Sequence, residues 1–498
     1  MTATVRPRLT VLGAGYLGVS HAACLAELGF DVLAVDTDAA RIGTLSAGDL
    51  PFFEPGLQPL VRRGLDSGRL RFTGSYTEAA SFGDVHFVCV GTPQRTDSDY
   101  ADLSQLNGCI AALGPLLESP CLVVGKSTVP VGTTAALAHK LARLAPVGQA
   151  AELAWNPEFL REGCAIEDTL RPDRIVVGVQ SRRAEAILRQ IYAAPLSVGT
   201  QFFVTDVATA ELAKVAANSF LATKISFINA MSEVCESTGG DVAVLSEILG
   251  ADPRIGVAFL RPGLGFGGGC LPKDIRAFVA SAAQLGVEGA LAFLREVDTI
   301  NVNCRTRMVG LTRELAGGSL SGRAVGVLGV AFKPNSDDIR DSPALEVAKT
   351  IHDLGALVTV YDPIAMNRAR QIHPELEYAG SAVGAASDAD VLLLLTEWRE
   401  FCEADPDVLG KAVAQRKIAD GRHALDPDVW RRAGWDYRAL GRPLPPIRDP
   451  VQSESAGQLS RPDTTSAKAH DYPLSSAKFY RKPCHEPSPD VESDCSWL

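Results

Sequence analysis

The stretch LTVLGAGYLGVSHAACLAELGFDVLAVD, residues 9–36, decides the reading of the fold. An apolar run, Leu9–Leu12, turns through Gly13, Gly15 and Gly18 into a helical stretch. A second apolar run, Val32–Val35, then ends at Asp36. Glycines at those three places permit a tight turn and let backbone N–H groups approach a pyrophosphate at a helix N-terminus. Asp36 suits the hydroxyls of a ribose and repels a 2′-phosphate, which favours NAD over NADP. The glycines alone are a weak signal; strand, turn, helix and acidic residue in this order predict a dinucleotide site.

Further uninterrupted apolar runs follow at Val85–Val90, Leu122–Val124 and Arg174–Val179. Runs without polar alternation are expected of parallel strands covered on both faces, so residues 1–205 predict a doubly wound α/β domain. The segment 206–238 has no Pro or Gly and carries apolar residues at helical spacing. A helix of ~30 residues spans ~45 Å, a length suited to joining domains or building a subunit interface. More helix is expected to about Ala316, interrupted by the glycine-rich Pro262–Gly269. A second strand–helix alternation then opens, with strands expected at Ala324–Phe332, Leu357–Pro363 and Ala389–Thr396 and a helix at Pro343–Leu354. The expected architecture is α/β: two Rossmann-like doubly wound domains, 1–205 and 319–443, joined by a central helical and dimerisation region, 206–318. Residues 446–498 hold nine Ser and seven Pro against seven Leu, Ile, Val or Phe. Such a stretch buries too little apolar surface to offset its ordering entropy, so 444–498 is expected to be a disordered tail.

A net charge of −11 argues against nonspecific binding to nucleic acid or acidic membranes. No apolar run approaches the ~20 residues of a membrane helix, and residues 1–12 show no signal-peptide pattern. The 11 cysteines are scattered without a CxxC pair, which fits neither a disulfide framework nor a metal site and points to a reducing cytoplasm.

Chemistry concentrates in four other places. In GFGGGCLPKD, residues 265–274, four glycines precede Cys270, with Lys273 and Asp274 within a turn. A thiol on such a loop beside a cation is a candidate nucleophile, because its thiolate is stabilised. Lys214 and Asn218 are four apart on the long helix and share a face, where an ammonium and a carboxamide can converge on a reacting oxygen. KSTVPVGTT (126–134) and NPEFLREG (156–163) each follow a strand, at the sheet edge where α/β proteins bind ligands. Glu158 and Glu162 lie in the second of these, though acids are also common in a helix's first turn.

Taken together, GAGYLG, VGTP (90–93), STVPVGTT, NPEFLREG, KVAAN, RIG (254–256), GFGGGCLPKD, AFKPNSDDIRDSP and DGR (420–422) resemble the nucleotide-sugar 6-dehydrogenases, in the order that family shows them. The resemblance runs from about residue 9 to residue 443. It implies oxidation of a nucleotide sugar to its uronate, with two hydrides passed to NAD. It also implies a Cys270 thiohemiacetal and thioester between the two oxidations. Lys214 and Asn218 would stabilise alkoxide charge, Asp274 and Glu158 would handle protons and position water, and Thr128 would help to hold that water.

Matching positions assign the cofactor to Leu17, Asp36, Arg41, Thr92, Thr128, Glu162, Lys273 and Arg340 beside the three turn glycines. They assign the sugar nucleotide to Phe159, Leu160, Arg161, Glu162, Lys214, Asn218, Phe259, Leu260, Arg261, Pro262, Gly263, Gly267, Phe332, Lys333 and Arg422, the last two as cations for the diphosphate. Arg254 matches a position that reaches a neighbouring subunit's site, which implies a homodimer built on the long helix. Gly269 stands where many relatives carry Ser, and His423 where Asn commonly follows DGR.

UDP-glucose is the leading expectation, and the resemblance makes the Lys-Asp pair after the cysteine an argument against UDP-N-acetylmannosamine; the GDP-mannose enzymes share it. GDP-mannose and TDP-glucose are the competing substrates. A single-step β-hydroxyacid dehydrogenase and a non-catalytic sugar-nucleotide-binding regulator are the competing functions.

Overall fold

The computed structural model describes residues 6–443. The expectation for 444–498 therefore lies outside the described residues. Eight strands form the first sheet: β1 (Leu9–Leu12), β2 (Val32–Val35), β3 (Leu70–Thr73), β4 (Val85–Val88), β5 (Cys121–Gly125), β6 (Ala151–Trp155), β7 (Arg174–Gly178) and β8 (Gln201–Thr205). Their order is β3-β2-β1-β4-β5-β6-β7-β8. Neighbours run parallel except β6 and β7, which meet antiparallel through Trp155 and Gly178. β1, β2, β4 and β5 are buried along their whole length, which is why their sequences are continuous apolar runs. Strand order reverses at β1, between β2 and β4, so a crevice opens at its C-terminal end, where the glycine turn lies.

Six parallel strands form the second sheet: β9 (Ala324–Leu328), β10 (Leu357–Tyr361), β11 (Glu377–Tyr378), β12 (Val391–Leu394), β13 (Lys417–Asp420) and β14 (Asp436–Arg438), ordered β11-β10-β9-β12-β13-β14. Its reversal lies at β9, again with an acidic residue just beyond the next strand. Asp362 accepts Val330 N at 2.9 Å and Ala331 N at 3.0 Å, as Asp36 accepts Ala14 N at 2.9 Å. Asp362 is fully buried and also accepts the Trp398 indole N–H at 3.0 Å. Its carboxylate is thereby committed to structure, and the second sheet offers no ribose acceptor there.

Between the sheets in sequence, a single helix runs from Val207 to Thr238 over 32 residues. At ~1.5 Å per residue it is ~48 Å long. Asp206 caps it by accepting Thr209 N at 2.8 Å, and Gly239, at φ +76°, ends it in the left-handed conformation. The helix Phe293–Leu315 packs along it, with the Ser226 hydroxyl donating to Val297 O at 2.7 Å. The helix Leu271–Gln284 packs there too and brings the cysteine loop to the long helix. No helix among the described residues is long and apolar enough to cross a membrane.

Candidate active site

The glycine turn has the shape a dinucleotide needs. Gly13 sits at φ +98°, and a Cβ on Gly18 would stand 1.8 Å from Gly13 O, so both are fixed by the turn and by helix–strand packing. A Cβ on Gly15 would meet nothing within 4 Å, which leaves open space above the N-terminus of the helix Tyr16–Glu27. No side chain caps that terminus. Its N–H groups are therefore available to an anion, and the residues present fit a pyrophosphate. Leu17 lies in the first turn of the same helix. Asp36 lies at the end of β2 as expected, and Arg41 is paired with it at 2.9 Å. Thr92 follows β4, and its hydroxyl donates to Thr128 O at 2.8 Å.

Thr92, Thr128, Lys273 and Asp274 line one cleft, although they come from three separate segments. Beside it, Cys270 takes the N-cap position of the helix Leu271–Gln284. Among the free cysteines of the described residues it alone is exposed. The residue is exposed at the surface, yet protein surrounds the thiol closely enough for burial to dominate its titration.

The expectation of a stabilised thiolate is corrected here. Burial is the main cause that pushes the Cys270 thiol up to about 12, and the Asp274 and Glu158 carboxylates push it further, against Lys214 and Lys273. Both lysines are already paired: Lys214 Nζ lies 3.0 Å from Glu158 Oε1, and Lys273 Nζ 2.5 Å from Asp274 Oδ1. Paired charges cancel at a distance, so the sulfur gains little from the cations beside it. This is a reachable thiol that ionises only when something else supplies positive charge or takes its proton.

The Lys214–Asn218 pair faces the cysteine loop as its spacing predicts. Asn218 Nδ2 donates to Asp274 Oδ2 at 2.7 Å. Burial lowers the Lys214 pKa, but Glu158, Cys270 and Asp274 more than offset it, so the ammonium is held charged. Glu158 Oε2 also accepts Leu160 N at 2.6 Å, which folds the 156–163 loop back on itself. Phe159 lies between cations, 5.6 Å from Lys214 Nζ and 3.9 Å from the Arg174 guanidinium.

Other site residues are placed less simply. Arg161 is bound to Asp168 through Nε at 3.1 Å and Nη2 at 2.6 Å. Leu260 is 2% exposed and packs in a small core with Ile228 and Val242, so only its backbone can meet a ligand. Phe259 takes φ +64°, a strained conformation for a bulky side chain and one that re-aims its ring. Arg261 and Pro262 follow it into Gly263, where a Cβ would press 2.4 Å from Gly421 O. Arg254 is 87% exposed and paired with Asp252 at 2.6 Å.

Arg422, read as a diphosphate cation, donates instead to Leu395 O at 2.8 Å, Gly265 O at 2.9 Å and Phe332 O at 3.1 Å. It ties the glycine loop to the second sheet and lies 3.4 Å from Glu397, with three of its five N–H groups used on these carbonyls. Lys333 is half-buried and lies 5.7 Å from the Phe332 ring; burial lowers its pKa against the pull of Glu162 and Glu54.

Gly267 approaches Asp341 O so closely that a Cβ would stand 2.1 Å from it. At Gly269 a Cβ would meet the Arg340 guanidinium at 2.3 Å, so a serine there would displace that arginine. His423 has φ +52°, the left-handed region that Asn and His tolerate better than most residues.

Four contributors went unread in the sequence. Glu54, 4% exposed, accepts the Tyr16 hydroxyl together with Gly163 N and Ala165 N, both at 2.7 Å. It clamps the glycine turn to the 156–163 loop. Ser336 donates to Glu162 Oε2 at 3.0 Å, and Asp338 holds Arg340 at 2.6 Å. Burial and Asp338 push the Glu162 carboxyl up to about 7. Lys126 is the fourth and is considered below. Only the acidic residue in FEPG, 53–56, lay near a turn signal; the other partners are set by tertiary structure.

Two doubly wound sheets, the first opening on a glycine turn with an acidic residue at the end of its second strand, define a dinucleotide-binding dehydrogenase architecture. Comparison with known proteins narrows this. The three domains of the UDP-glucose/GDP-mannose dehydrogenase family match in sequence: the NAD binding domain over 7–195, the central domain over 208–303 and the UDP binding domain over 326–427. A UDP-glucose 6-dehydrogenase of Rhizobium meliloti is 40% identical over 439 residues, covering 88% of this chain and 100% of the relative. One of Pseudomonas aeruginosa is 38% identical over 449 residues, covering 88% and 98%. The solved UDP-glucose dehydrogenase of the hyperthermophilic archaeon Pyrobaculum islandicum superposes with a TM-score of 0.81 at 37% identity, over 89% of this chain and 99% of that one. The chain belongs to the UDP-glucose/GDP-mannose dehydrogenase family.

Proposed function

We propose that the chain oxidises UDP-glucose at C6 to UDP-glucuronate in two successive steps, with Cys270 holding the sugar between them. The observation that carries this reading is the reachable Cys270 thiol at a helix N-terminus, faced by Lys214, Lys273, Asp274 and Glu158. NAD, when bound at the glycine turn, supplies the hydride acceptor for each oxidation.

Lys214, held charged, stabilises the alkoxide that develops as the C6 alcohol is oxidised, and Asn218 adds a neutral donor. The Cys270 sulfur adds to the aldehyde carbon and prevents its release. After the second oxidation water attacks the resulting thioester, positioned by Thr128 and Asp274, while Glu158 takes its proton. Arg161 and Arg422 act through the loops they brace, and Lys333 is the cation of the second sheet nearest to hand for a diphosphate.

The same reading divides the chain at 1–205, 206–318 and 319–443, and makes it a cytoplasmic homodimer. Leu212, Phe220, Phe227 and Val234 are exposed at roughly heptad spacing on the long helix, and Val244 and Ile248 on the next. A continuous apolar stripe of this kind is what a second copy would cover.

Mixing the protein with NAD and UDP-glucose, GDP-mannose or TDP-glucose in parallel tests the substrate. NADH absorbance should rise with UDP-glucose at least about tenfold faster than with the others, the discrimination that ~1.4 kcal/mol gives. A larger rate with GDP-mannose would overturn the substrate reading.

A further inference from the structure

Glu158 also lines a second chamber, with about 50 Å³ of room for water. Lys126, Asn156, His21 and Tyr192, all buried, line it together with Glu158 and Phe159. Lys126 is 6% exposed and donates to Asn156 Oδ1 at 3.0 Å and Asn156 O at 3.4 Å, which leaves the third ammonium proton without a protein acceptor. Asn156 is itself fixed, donating to Val176 O at 2.8 Å and accepting the Tyr192 hydroxyl at 2.5 Å. His21 lines the same space, 2% exposed, with its Nε2 unpartnered. A polar, roomy space edged by an orphaned ring nitrogen and a spare ammonium proton is where buried water is held.

Hydrolysis of a thioester needs both water and a way out for a proton. Water adds to the carbonyl carbon, the C–S bond breaks, and the sulfur leaves as a thiol. The acid is released as a carboxylate, and one proton is left over. We propose that the chamber is the water reservoir and proton exit for that step, with Lys126 in its neutral form accepting the proton that Glu158 takes from the attacking water. Lys126 acts through Glu158 and is a positioning residue. The inference rests on the double oxidation proposed above.

The surroundings agree. Burial, with Lys214 nearby, pulls the Lys126 pKa down to about 8, against the opposing pull of Cys89 and Glu158. His21, held neutral by burial and by Lys126, adds no charge. Tyr192, pushed far up by burial, stays protonated. Asp168, Asp173 and Arg174 line the same space and add charged groups to the buried ones. An ammonium with a pKa near 8 exchanges protons readily at working pH, which an ordinary lysine does not.

The test uses the full chain and its Lys126→Met and Lys126→Arg variants, with UDP-glucose and NAD. Rapid mixing counts NADH in the first turnover, intact mass measures sugar acylated on Cys270, and the steady-state rate is followed from pH 6 to 10. The wild-type rate should rise through about pH 8. Both variants should keep a first burst of two NADH per site, slow at steady state on the order of tenfold or more, accumulate the acylated protein and lose the rise near pH 8. A Met variant with wild-type rate and pH profile would overturn the proposal. So would one whose burst falls in step with its steady state, because that is the mark of a merely structural role. If the wild type makes no NADH from UDP-glucose, the function reading fails first and takes the inference with it.

Discussion

Asn218 donates to Asp274 at 2.7 Å, and the two residues are 6% and 3% exposed. This one bond joins the long helix to the first turn of the helix that carries Cys270, across 56 residues of sequence. It ties the register between Cys270 and Lys214. Asn218→Leu should therefore cost about 1–3 kcal/mol, the toll of leaving a buried carboxylate short of a donor. Thermal unfolding and kcat should fall together. Asn218→Asp sets two carboxylates against each other and should lose more stability at pH 8 than at pH 5. Equal losses at the two pH values would contradict this geometry.

Gly15 and Gly18 answer to different demands. Gly18→Ala drives a methyl into Gly13 O and should cost more than about 4 kcal/mol, at the severe end for a single substitution. Gly15→Ala meets no protein atom, so its unfolding temperature should stay near wild type. Its NAD affinity should nevertheless fall about tenfold or more, since the methyl occupies the space of the pyrophosphate. Calorimetry with and without NAD separates the two effects.

A thiol pushed up to about 12 reacts slowly at neutral pH. Alkylation of Cys270 by iodoacetamide in the cofactor-free protein should climb about tenfold per pH unit from 7 to 10 without a plateau. NAD, whose nicotinamide is positive, should accelerate it at pH 8. A plateau below pH 8 without NAD would mean that the thiolate is stabilised by the protein alone.

Glu162, between Ser336 and Arg340, carries a carboxyl raised from 4.5 to about 7. The folded state thus binds a proton that the unfolded state has lost between those values. Its contribution to stability is complete below pH 4.5 and declines as pH rises through about 7. Glu162→Gln should stabilise the protein at pH 8 by about 1–3 kcal/mol relative to wild type and leave it unchanged near pH 4. Denaturant titration at the two pH values reads this directly, and a variant less stable at pH 8 would contradict it.

Much of this was legible in the chain itself, for physical reasons. β1, β2, β4, β5 and β7 announced themselves because strands buried on both faces leave no polar positions. The long helix did so because 33 residues, 206–238, pass without Pro or Gly. β3, β8 and β13 were missed. β8 is an edge strand with Phe203 and Val204 exposed, and β3 and β13 each carry a charged residue, Arg71 and Lys417. β11, at two residues, and β14, at three, are too short to leave a pattern.

At the site, glycine spacing, Asp36 and the Cys-x-x-Lys-Asp loop were readable because each lies within one turn or one strand–helix unit. The state of Cys270 was not, since it turns first on burial and then on Asp274, Glu158 and lysines already paired with carboxylates. Nor was the use of Arg422, whose three acceptors lie 27 to 157 residues away.

The most direct measurement is the number of NADH formed per UDP-glucose consumed to completion, read with the acid content of the product. Two NADH and one uronate per sugar is the predicted result. One NADH per sugar, with free aldehyde or an unoxidised thioester-free protein, would contradict the covalent double oxidation at Cys270.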